Sequence, residues 1–369
     1  MYIENIKLEG FRNYDKEETE FHKNINIITG ENAQGKTNLL ESIYFTSFGK
    51  SFRAGRDREM IGFGKDYCRV SALYVKDDEK EIEKEKVDIA LSKDGRKAAQ
   101  IDGRNIERIS ELISDYYSVI FSPEDLKIVK DEPEKRRKFI DGELCQLSFS
   151  YFNALTNYKK ILSQRNSYLK EDNIDDSLLS VWDESLSEEG SKIIVSRKAF
   201  IERLSKISEE IHSNITDGKE KPEIEYDSNI PFSENKDEVK EIFLERLKDS
   251  REKDIYNGNT ASGPHKDDIE IKIKGKSTRK FASQGQQRTV ALSLKLAEIE
   301  LIKEEKGDYP ILLLDDVFSE LDEGRQRYLV DYLEMMQVFI TAAEIPEKIL
   351  KTFPESKKIV VKEGKIINY

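Results

Sequence analysis

The sequence predicts an α/β fold in which a nucleotide-type core is flanked by an antiparallel sheet and interrupted by an inserted helical lobe. Three observations lead there. The apolar run Ile25-Asn26-Ile27-Ile28-Thr29 opens into Gly30-Glu31-Asn32-Ala33-Gln34-Gly35-Lys36-Thr37, a match to G-x-x-x-x-G-K-[ST] without mismatch. A second apolar run, Ile311-Leu312-Leu313-Leu314, ends in Asp315-Asp316 about 275 residues later, although compact folds of this kind keep such parts within one or two βα units. Between the two runs the hydrophobic period changes from two to three and four.

A chain of 369 residues exceeds the usual size of one core, so two lobes are expected, one inserted into the other. Apolar content of 37% builds cores, while 36% charged residues demand a heavily charged surface with long polar helices. The net charge of −12 gives no global attraction for nucleic acid, so any such contact must come from local patches. Cys68 and Cys145 are too few for a disulfide framework or zinc site, even with His22, His212 and His265, which predicts a reduced cytosolic protein without structural metal. The N-terminus lacks the basic start and apolar core of a signal peptide, and no apolar run reaches the length of a membrane span. A membrane would act only through a partner.

In chain order, Tyr2 to Leu8 alternates as a strand that breaks at Gly10-Phe11-Arg12-Asn13-Tyr14. Asn38 to Phe45 has the spacing of a helix packed on a sheet. Residues 69–100 alternate again, and Asp94-Gly95 and Asp102-Gly103 are hairpin turns, which predicts the antiparallel sheet; charge-rich Lys76 to Lys86 reads as its solvated loop. From Ser122-Pro123 the period is helical. Leu144, Leu147, Tyr151, Leu155, Tyr158, Leu162, Arg165 and Leu169 form one run, and Leu186 to Ile211 a second, with a turn over Lys170 to Ser177. The pair reads as an antiparallel hairpin or a short projecting coiled coil, each helix reaching roughly 40 Å. Lys219 to Asp237 is a connector with one strand, followed by a helix over Val239 to Ser250, a strand through Ile269, Ile271 and Ile273, a helix from Gly285 to Glu304, and the aspartate-ended strand. The expected boundaries are 1–121 and 251–369 for the two parts of the core and 122–250 for the inserted lobe.

The chemistry-bearing residues follow from this layout. Gly30 and Gly35 let backbone N–H groups converge on phosphate oxygens, Lys36 reaches the terminal phosphates, Thr37 holds Mg²⁺, and the following helix offers its positive end. This points to ATP and Mg²⁺. Asp315 is the expected magnesium carboxylate and Asp316 the group that polarises the attacking water; taken alone, the two also fit a strand ending in a solvated acidic pair. Phe281-Ala282-Ser283-Gln284-Gly285-Gln286-Gln287-Arg288 makes a second anion-binding helix start, and equally an ordinary N-capped helix. Ser319-Glu320-Leu321-Asp322 directly follows the acidic pair.

The order of phosphate loop, S-x-G-Q helix start, acidic strand and S-x-L-D resembles the ATP-binding-cassette superfamily. That resemblance implies that Ser283, Gly285 and Gln286 cap the γ-phosphate bound to a second copy, and that Ser319 and Asp322 lie on the loop crossing the dimer interface. Phe11-Arg12-Asn13-Tyr14 resembles the start of the SMC-like recombination ATPases, adding Arg12 and Asn13 to the nucleotide contacts. The match is closest to the RecF family, through Gly30 to Glu41, Ser122-Pro123-Glu124-Asp125-Leu126, Arg136-Arg137-Lys138-Phe139-Ile140-Asp141, Gly263-Pro264-His265-Lys266-Asp267-Asp268, Ser283 to Arg288 and Leu313 to Asp322. It covers the whole length, and the short helical insertion suits that family better than a long-armed SMC protein. The resemblance implies an ATP-dependent homodimer that binds DNA in the cytoplasm, at the nucleoid. It further implies action with RecR-type and RecO-type mediators to load RecA at gaps and stalled forks, with a weak, DNA-stimulated ATPase as the switch. Asp316 stands where transporters carry glutamate, and Thr341, which the resemblance counts among the nucleotide contacts, holds the switch position where a histidine is common; both fit slow hydrolysis used as a timer. No glutamine-loop residue is assigned.

For DNA, Lys135-Arg136-Arg137-Lys138 is a basic quartet at a helix start, and Lys93, Arg96, Lys97 and Arg104 cluster at the hairpin turns. Such patches contact phosphates without reading sequence, or are solvated surface paired with neighbouring acids. Two rivals remain: a transporter or chromosome-organising ATPase subunit, and a small-molecule kinase. A transporter would favour glutamate at 316 and histidine at 341, and a kinase would not need Ser283 to Gln286.

Overall fold

Tyr2–Phe11 (β1) and Tyr14–Glu20 (β2) form a hairpin closed by Arg12 and Asn13, with Phe11 opposite Tyr14. Ile25–Thr29 (β3) leads through the phosphate loop into Lys36–Phe48 (α1). Tyr67–Asp78 (β4), Glu81–Ser92 (β5), Lys97–Ile101 (β6) and Arg104–Asn105 (β7) complete a six-stranded antiparallel sheet in the order β2-β1-β4-β5-β6-β7. The turns at Asp94-Gly95 and Asp102-Gly103 fall between its strands. Of the stretch expected as a solvated loop, residues 76–78 and 81–86 are strand instead: Lys76 pairs with Glu83 and Asp77 with Ile82, while the Lys76 ammonium meets the Glu85 carboxylate at 2.5 Å. Opposite charges facing across strands let a charge-rich segment keep pairing.

Ser110–Asp115 (α2) and Ser118–Phe121 (β8) end the first pass through the core. Then come Pro133–Leu147 (α3), Phe149–Tyr168 (α4) and Asp176–Ile215 (α5), followed by Pro222–Asp227 (β9), Lys236–Asp249 (α6), Arg251–Asn257 (α7), Asp268–Ile273 (β10), Lys276–Ser277 (β11), Thr278–Phe281 (α8) and Gln284–Lys306 (α9). Ile311–Asp315 (β12), Glu323–Leu333 (α10), Val338–Ala342 (β13), Glu347–Thr352 (α11), Lys357–Lys362 (β14) and Lys365–Asn368 (β15) complete the chain. This computed structural model describes residues 1–78, 81–125, 128–343 and 347–368. Leu126 of the Ser122 to Leu126 motif lies outside them.

Two compact units emerge, Met1–Leu126 with Ile299–Tyr369, and Lys127–Glu298. In the first, β3 lies centrally in the sheet β15-β14-β3-β13-β12-β8, whose β14, β3, β13, β12 and β8 run parallel. Helix α1 packs against strands of both this sheet and the antiparallel one. Covered on two sides, it buries polar residues as well as Leu39, Leu40 and Ile43. Each buried hydroxyl is satisfied locally: Ser42 donates to the Leu39 carbonyl at 2.7 Å, and Thr46 and Ser47 meet the Tyr74 hydroxyl at 2.7 and 3.1 Å.

The second unit is a helical hairpin of α4 and α5 backed by α3, α6 and a small sheet β11-β10-β9. The first apolar run is two helices rather than one, because Ser148 turns extended and its hydroxyl accepts from the Tyr151 N–H, capping α4. Helix α5 spans 40 residues, about 60 Å and well beyond the expected reach. Residues 251–298 belong to this unit, not to the core part expected to begin at 251. Strand β10 pairs with β9, and buried ion pairs fasten the segment: Arg165 to Asp183 and Asp254, Arg197 to Asp141 and Asp267, and Arg136 to Asp268. Arg165, Asp183 and Asp254 are fully buried, where losing one partner costs about 3–5 kcal/mol.

Candidate functional site: a clamped phosphate loop and its acidic partner

The phosphate loop is held from two sides. Gly30 has φ 150°, and a Cβ there would lie 2.2 Å from the Val361 carbonyl oxygen on β14. Gly35, at φ 125°, is pressed by the Asn13 side chain. Only glycine meets both demands. Asn13 donates from Nδ2 to the Gln34 carbonyl at 2.8 Å, and Tyr14 donates its hydroxyl proton to the Gly35 carbonyl at 2.9 Å. From the other side, Gly364 donates its N–H to the Gln34 carbonyl at 3.1 Å and Glu363 to Gln34 Oε1 at 2.5 Å. Glu31, Asn32 and Ala33 form the exposed crest, with Ala33 left-handed at φ 65°. The Lys36 ammonium donates to the Gly30 and Glu31 carbonyls at 2.7 and 3.1 Å, which places a positive charge within the loop. The C-terminal hairpin's share was not visible in the sequence, because Val361, Glu363 and Gly364 act through their backbones.

The acidic strand meets this loop directly. Asp315 Oδ1 accepts two hydroxyl protons, from Thr37 Oγ1 and from Thr341 Oγ1, each at 2.8 Å. Strands β12 and β13 are paired in parallel with Asp315 opposite Thr341, which fixes this geometry. Thr341 Oγ1 also accepts the Asp316 N–H at 3.0 Å. Asp316 is left-handed at φ 53° and lines a cavity of about 260 Å³ with Lys36, Thr37, Asn38 and Arg53. Burial, then the Asp315 charge, push the Asp316 pKa up, with Lys36 opposing. A carboxylate so placed can accept a proton from water beside a bound phosphate. Thr37 and Asp315 suit Mg²⁺, which takes few protein oxygens and completes its shell from phosphates and water. Among the described residues no cluster of three or more His, Cys, Asp or Glu side chains forms a self-sufficient metal site.

Arg12, expected among the nucleotide contacts, is ion-paired in this structure. Its Nε and NH2 hold the two Glu41 carboxylate oxygens at 2.7 and 2.6 Å, and its NH1 donates to the Glu59 carbonyl at 2.5 Å. The guanidinium thereby organises the loop's flank, and it also lines a cavity beside the loop. Arg53 was missed: it donates to Glu41 Oε2 at 2.8 Å and reaches the Asn38 side chain, yet lines the phosphate-side cavity. Burial raises the Glu41 pKa, but hydrogen bonds from Arg12, Arg53 and Ser51 outweigh it and hold the carboxyl below its usual range. The signal for Arg53 lay in Ser51-Phe52-Arg53 just past the helix-ending Gly49, where Ser51 Oγ accepts from the Arg53 and Ala54 N–H groups. An adjoining cavity of about 670 Å³ is lined by Arg12, Asn13, Arg53, Ile61 and Phe63 among others, with Phe63 fully exposed.

In the helical unit, Ser283 and Gln286 cap each other at the start of α9. The Ser283 N–H donates to Gln286 Oε1 at 2.8 Å, and the Gln286 N–H to Ser283 Oγ at 3.2 Å, a reciprocal capping box. Gly285 lies in the first turn. In the core unit, Ser319 donates to the Asp316 carbonyl at 2.7 Å, and Asp322 caps α10 by accepting the Arg325 N–H at 3.0 Å.

The basic patches change most. Arg136 is 3% exposed, chelates Asp268 through Nε and NH2 at 2.6 and 2.8 Å, and donates to the Asp131 carbonyl at 2.5 Å. Arg137 donates to the Asp267 carbonyl at 2.6 Å. These two bind α3 to the start of β10 and leave Lys135 and Lys138 outside, Lys138 paired with Glu134. Lys97 is likewise occupied, by the Gly49 carbonyl and Asp57. Lys93, Arg96 and Arg104 stay exposed, near Asp66, Asp94 and Glu111 respectively.

The family model described as "RecF/RecN/SMC N terminal domain" matches residues 2–367. Among curated relatives, "DNA replication and repair protein RecF" of Clostridioides difficile strain 630 is 43% identical over 372 residues, covering 100% of this chain and 98% of its own. The protein of the same name from Clostridium acetobutylicum is 44% identical over 372 residues and 100% of both chains. Among solved structures, the recombination mediator protein RecF with ATP, described as acting in the RecFOR pathway, superposes with TM-score 0.91 at 35% identity over 100% of this chain and 97% of that one. An Smc head domain from Pyrococcus furiosus shares the fold at TM-score 0.57 and 18% identity, covering 100% and 96%.

Proposed function

Because this chain belongs to the RecF family of SMC-like ATPases, we propose that it is an ATP-dependent DNA-binding protein of recombinational repair and replication restart, gated by pairing with a second copy of itself. The observation that carries this reading is the meeting of Thr37, Asp315 and Thr341 on one carboxylate oxygen beside Lys36. It joins a phosphate loop to an acidic strand across most of the sequence, while the γ-phosphate cap expected of Ser283 belongs to the other compact unit.

ATP phosphates enter the cradle of residues 30–37, with Lys36 turning from the Gly30 and Glu31 carbonyls to the terminal phosphates. The base lies in the adjoining cavity against Phe63. Thr37 and Asp315 would hold Mg²⁺, which would supply charge neutralisation to the bound phosphates. Asp316 takes the proton of the attacking water. Ser283, Gly285 and Gln286 of the second copy cap the γ-phosphate, and Ser319 and Asp322 carry the loop across the interface, so ATP completes a site that one chain holds only in half. Hydrolysis is weak, stimulated by DNA, and releases the dimer.

The DNA is a gap or a junction between single and double strands, gripped through phosphates by exposed lysines and arginines. RecR-type and RecO-type mediators then support RecA loading in the cytoplasm, at the nucleoid. Among the described residues no helix is long and apolar enough to cross a membrane.

The test is the chain's mass by light scattering, with and without ATP and a gapped duplex, at several salt concentrations. The expected result is an ATP-dependent dimer whose DNA binding weakens steeply with salt. Lys36→Met removes both, and Ser283→Arg keeps nucleotide binding but loses the dimer. A wild-type chain that stays monomeric with ATP and shows no salt-sensitive DNA binding would refute the proposal.

A further inference from the structure

The helix start that the proposed function assigns to a γ-phosphate is closed in this structure by its own glutamine, and a third residue fixes that glutamine. Gln286 Oε1 accepts the Ser283 N–H at 2.8 Å, while the other end of the same carboxamide, Nε2, donates to Glu220 Oε1 at 2.6 Å. The carboxamide is planar, so the Glu220 bond sets the direction in which Oε1 points. Glu220 also lies beside the end of α5. Its Oε2 lies 3.5 Å from His212 Nε2, and His212, fully buried, places Nδ1 3.1 Å from Ser293 Oγ on α9. The intervening turn is tight: Asp217 and Gly218 are left-handed at φ 50° and 72°, and the Gly218 N–H donates to the Ser213 carbonyl at 2.8 Å. Position 220 therefore follows the end of the 40-residue helix.

We propose that Glu220 is a positioning residue that latches Gln286 over the Ser283 amide, so that α9 must be uncapped before it can take the γ-phosphate of a second copy. The inference rests on the proposed ATP-dependent pairing and names what holds the unpaired state. Two effects act in the same direction. The charge-assisted bond from Gln286 is stronger than a neutral one and keeps the Ser283 donor occupied. The Glu220 carboxylate also repels an incoming phosphate that the helix start would otherwise attract. A displacement of the end of α5 moves Glu220 away from Gln286 and opens the cap. The helical arm is thus connected to the trans contact through one side chain.

The experiment compares wild type, Glu220→Ala and Glu220→Gln in the full chain. Self-association is measured by sedimentation with saturating Mg-ATP, nucleotide affinity with a fluorescent ATP analogue at concentrations where the chain is monomeric, and Ser283 amide exchange by NMR without nucleotide. Glu220→Ala is expected to speed Ser283 exchange and to tighten ATP-dependent association, each about tenfold, with nucleotide affinity unchanged. Glu220→Gln keeps an acceptor for Gln286 Nε2 without the charge and should shift association only about threefold. A merely structural Glu220 predicts the opposite sign, a weaker dimer in Glu220→Ala. That result overturns the proposal, as does unchanged Ser283 exchange, or faster exchange with unchanged association. If wild type fails to associate with ATP, the pairing mechanism falls, and Ser283 exchange still decides whether the latch exists.

Discussion

Thr341→Val tests the acidic site with the smallest change of shape. Threonine and valine have nearly the same volume, so β13 keeps its packing and only the hydroxyl is lost. That hydroxyl does two things: it donates to Asp315 Oδ1 at 2.8 Å and accepts the Asp316 N–H at 3.0 Å. Thr341 is fully buried, so valine removes a bond to a carboxylate and leaves an amide without its acceptor. Discounted for the half-buried aspartates, the loss is about 2 kcal/mol. For a chain of 369 residues this lowers the unfolding temperature by about 3 °C. The same bond holds Asp316 in its left-handed turn, so kcat for ATP hydrolysis should fall about tenfold while KM stays near wild type, since the hydroxyl's bonds go to Asp315 and Asp316. Thr341→Ser restores the hydroxyl and should recover most of kcat. Phosphate release at saturating ATP and a thermal melt give the two numbers. A Thr341→Val protein with wild-type kcat but a lowered melting point would show that the hydroxyl serves only the fold.

Asp316→Asn should abolish phosphate release while keeping ATP-dependent dimers, visible as dimers that persist after dilution; rapid dissociation would remove Asp316 from the hydrolytic step. Phe63→Ala should raise KM for ATP about tenfold with kcat unchanged and tripolyphosphate inhibition unaffected, because only base contact is lost; equal weakening of both ligands would contradict that placement. Arg136→Met should cost about 3–5 kcal/mol of stability, read by urea unfolding, and leave the salt slope of DNA binding intact, whereas a phosphate contact would reduce that slope by about one. His265, pushed down to about 4 by burial, is neutral when folded but protonated in the unfolded chain below about 6.5. The unfolded state holds the extra proton in that window, so stability should fall by about 3 kcal/mol as pH drops from 6.5 to 4. His265→Gln should flatten this slope, and an unchanged slope would place the acid sensitivity elsewhere.

The sequence made the parts with local signatures legible. The phosphate loop, the hairpin turns at Asp94-Gly95 and Asp102-Gly103, the cap at Ser283 and the aspartate-ended strand each depend on residue type within a few positions. What stayed hidden depends on partners distant in sequence. Arg136 reads as a surface cation until Asp268, 132 residues away, is found beside it. Nothing near Arg12 in sequence announces that Glu41, inside a helix enclosed by two sheets, will sit in its fork. The loop expected between Lys76 and Lys86 is strand in its described residues because composition does not report that Lys76 will face Glu83 and reach Glu85 across a ladder. The backbone clamp from Glu363 and Gly364 has no side-chain signature at all.

The departures at 316 and 341 acquire a common physical sense from this geometry. Asp316 has one methylene fewer than glutamate, so its carboxylate depends on its backbone to reach the cavity, and the left-handed φ of 53° is held by the Thr341 hydroxyl. A histidine at 341 could not reproduce the compact pair of bonds, to Asp315 Oδ1 and from the Asp316 N–H, within a fully buried site. The same burial, with Asp315 alongside, raises the Asp316 pKa and makes it a better proton acceptor while reducing the fraction already ionised. If Asp316 is the base, one that is short, constrained and dependent on a neighbouring threonine would give slow chemistry. Under the proposed function slow chemistry would suit an ATP-gated grip on DNA, since the dimer would have to outlast the assembly of its partners before hydrolysis released it.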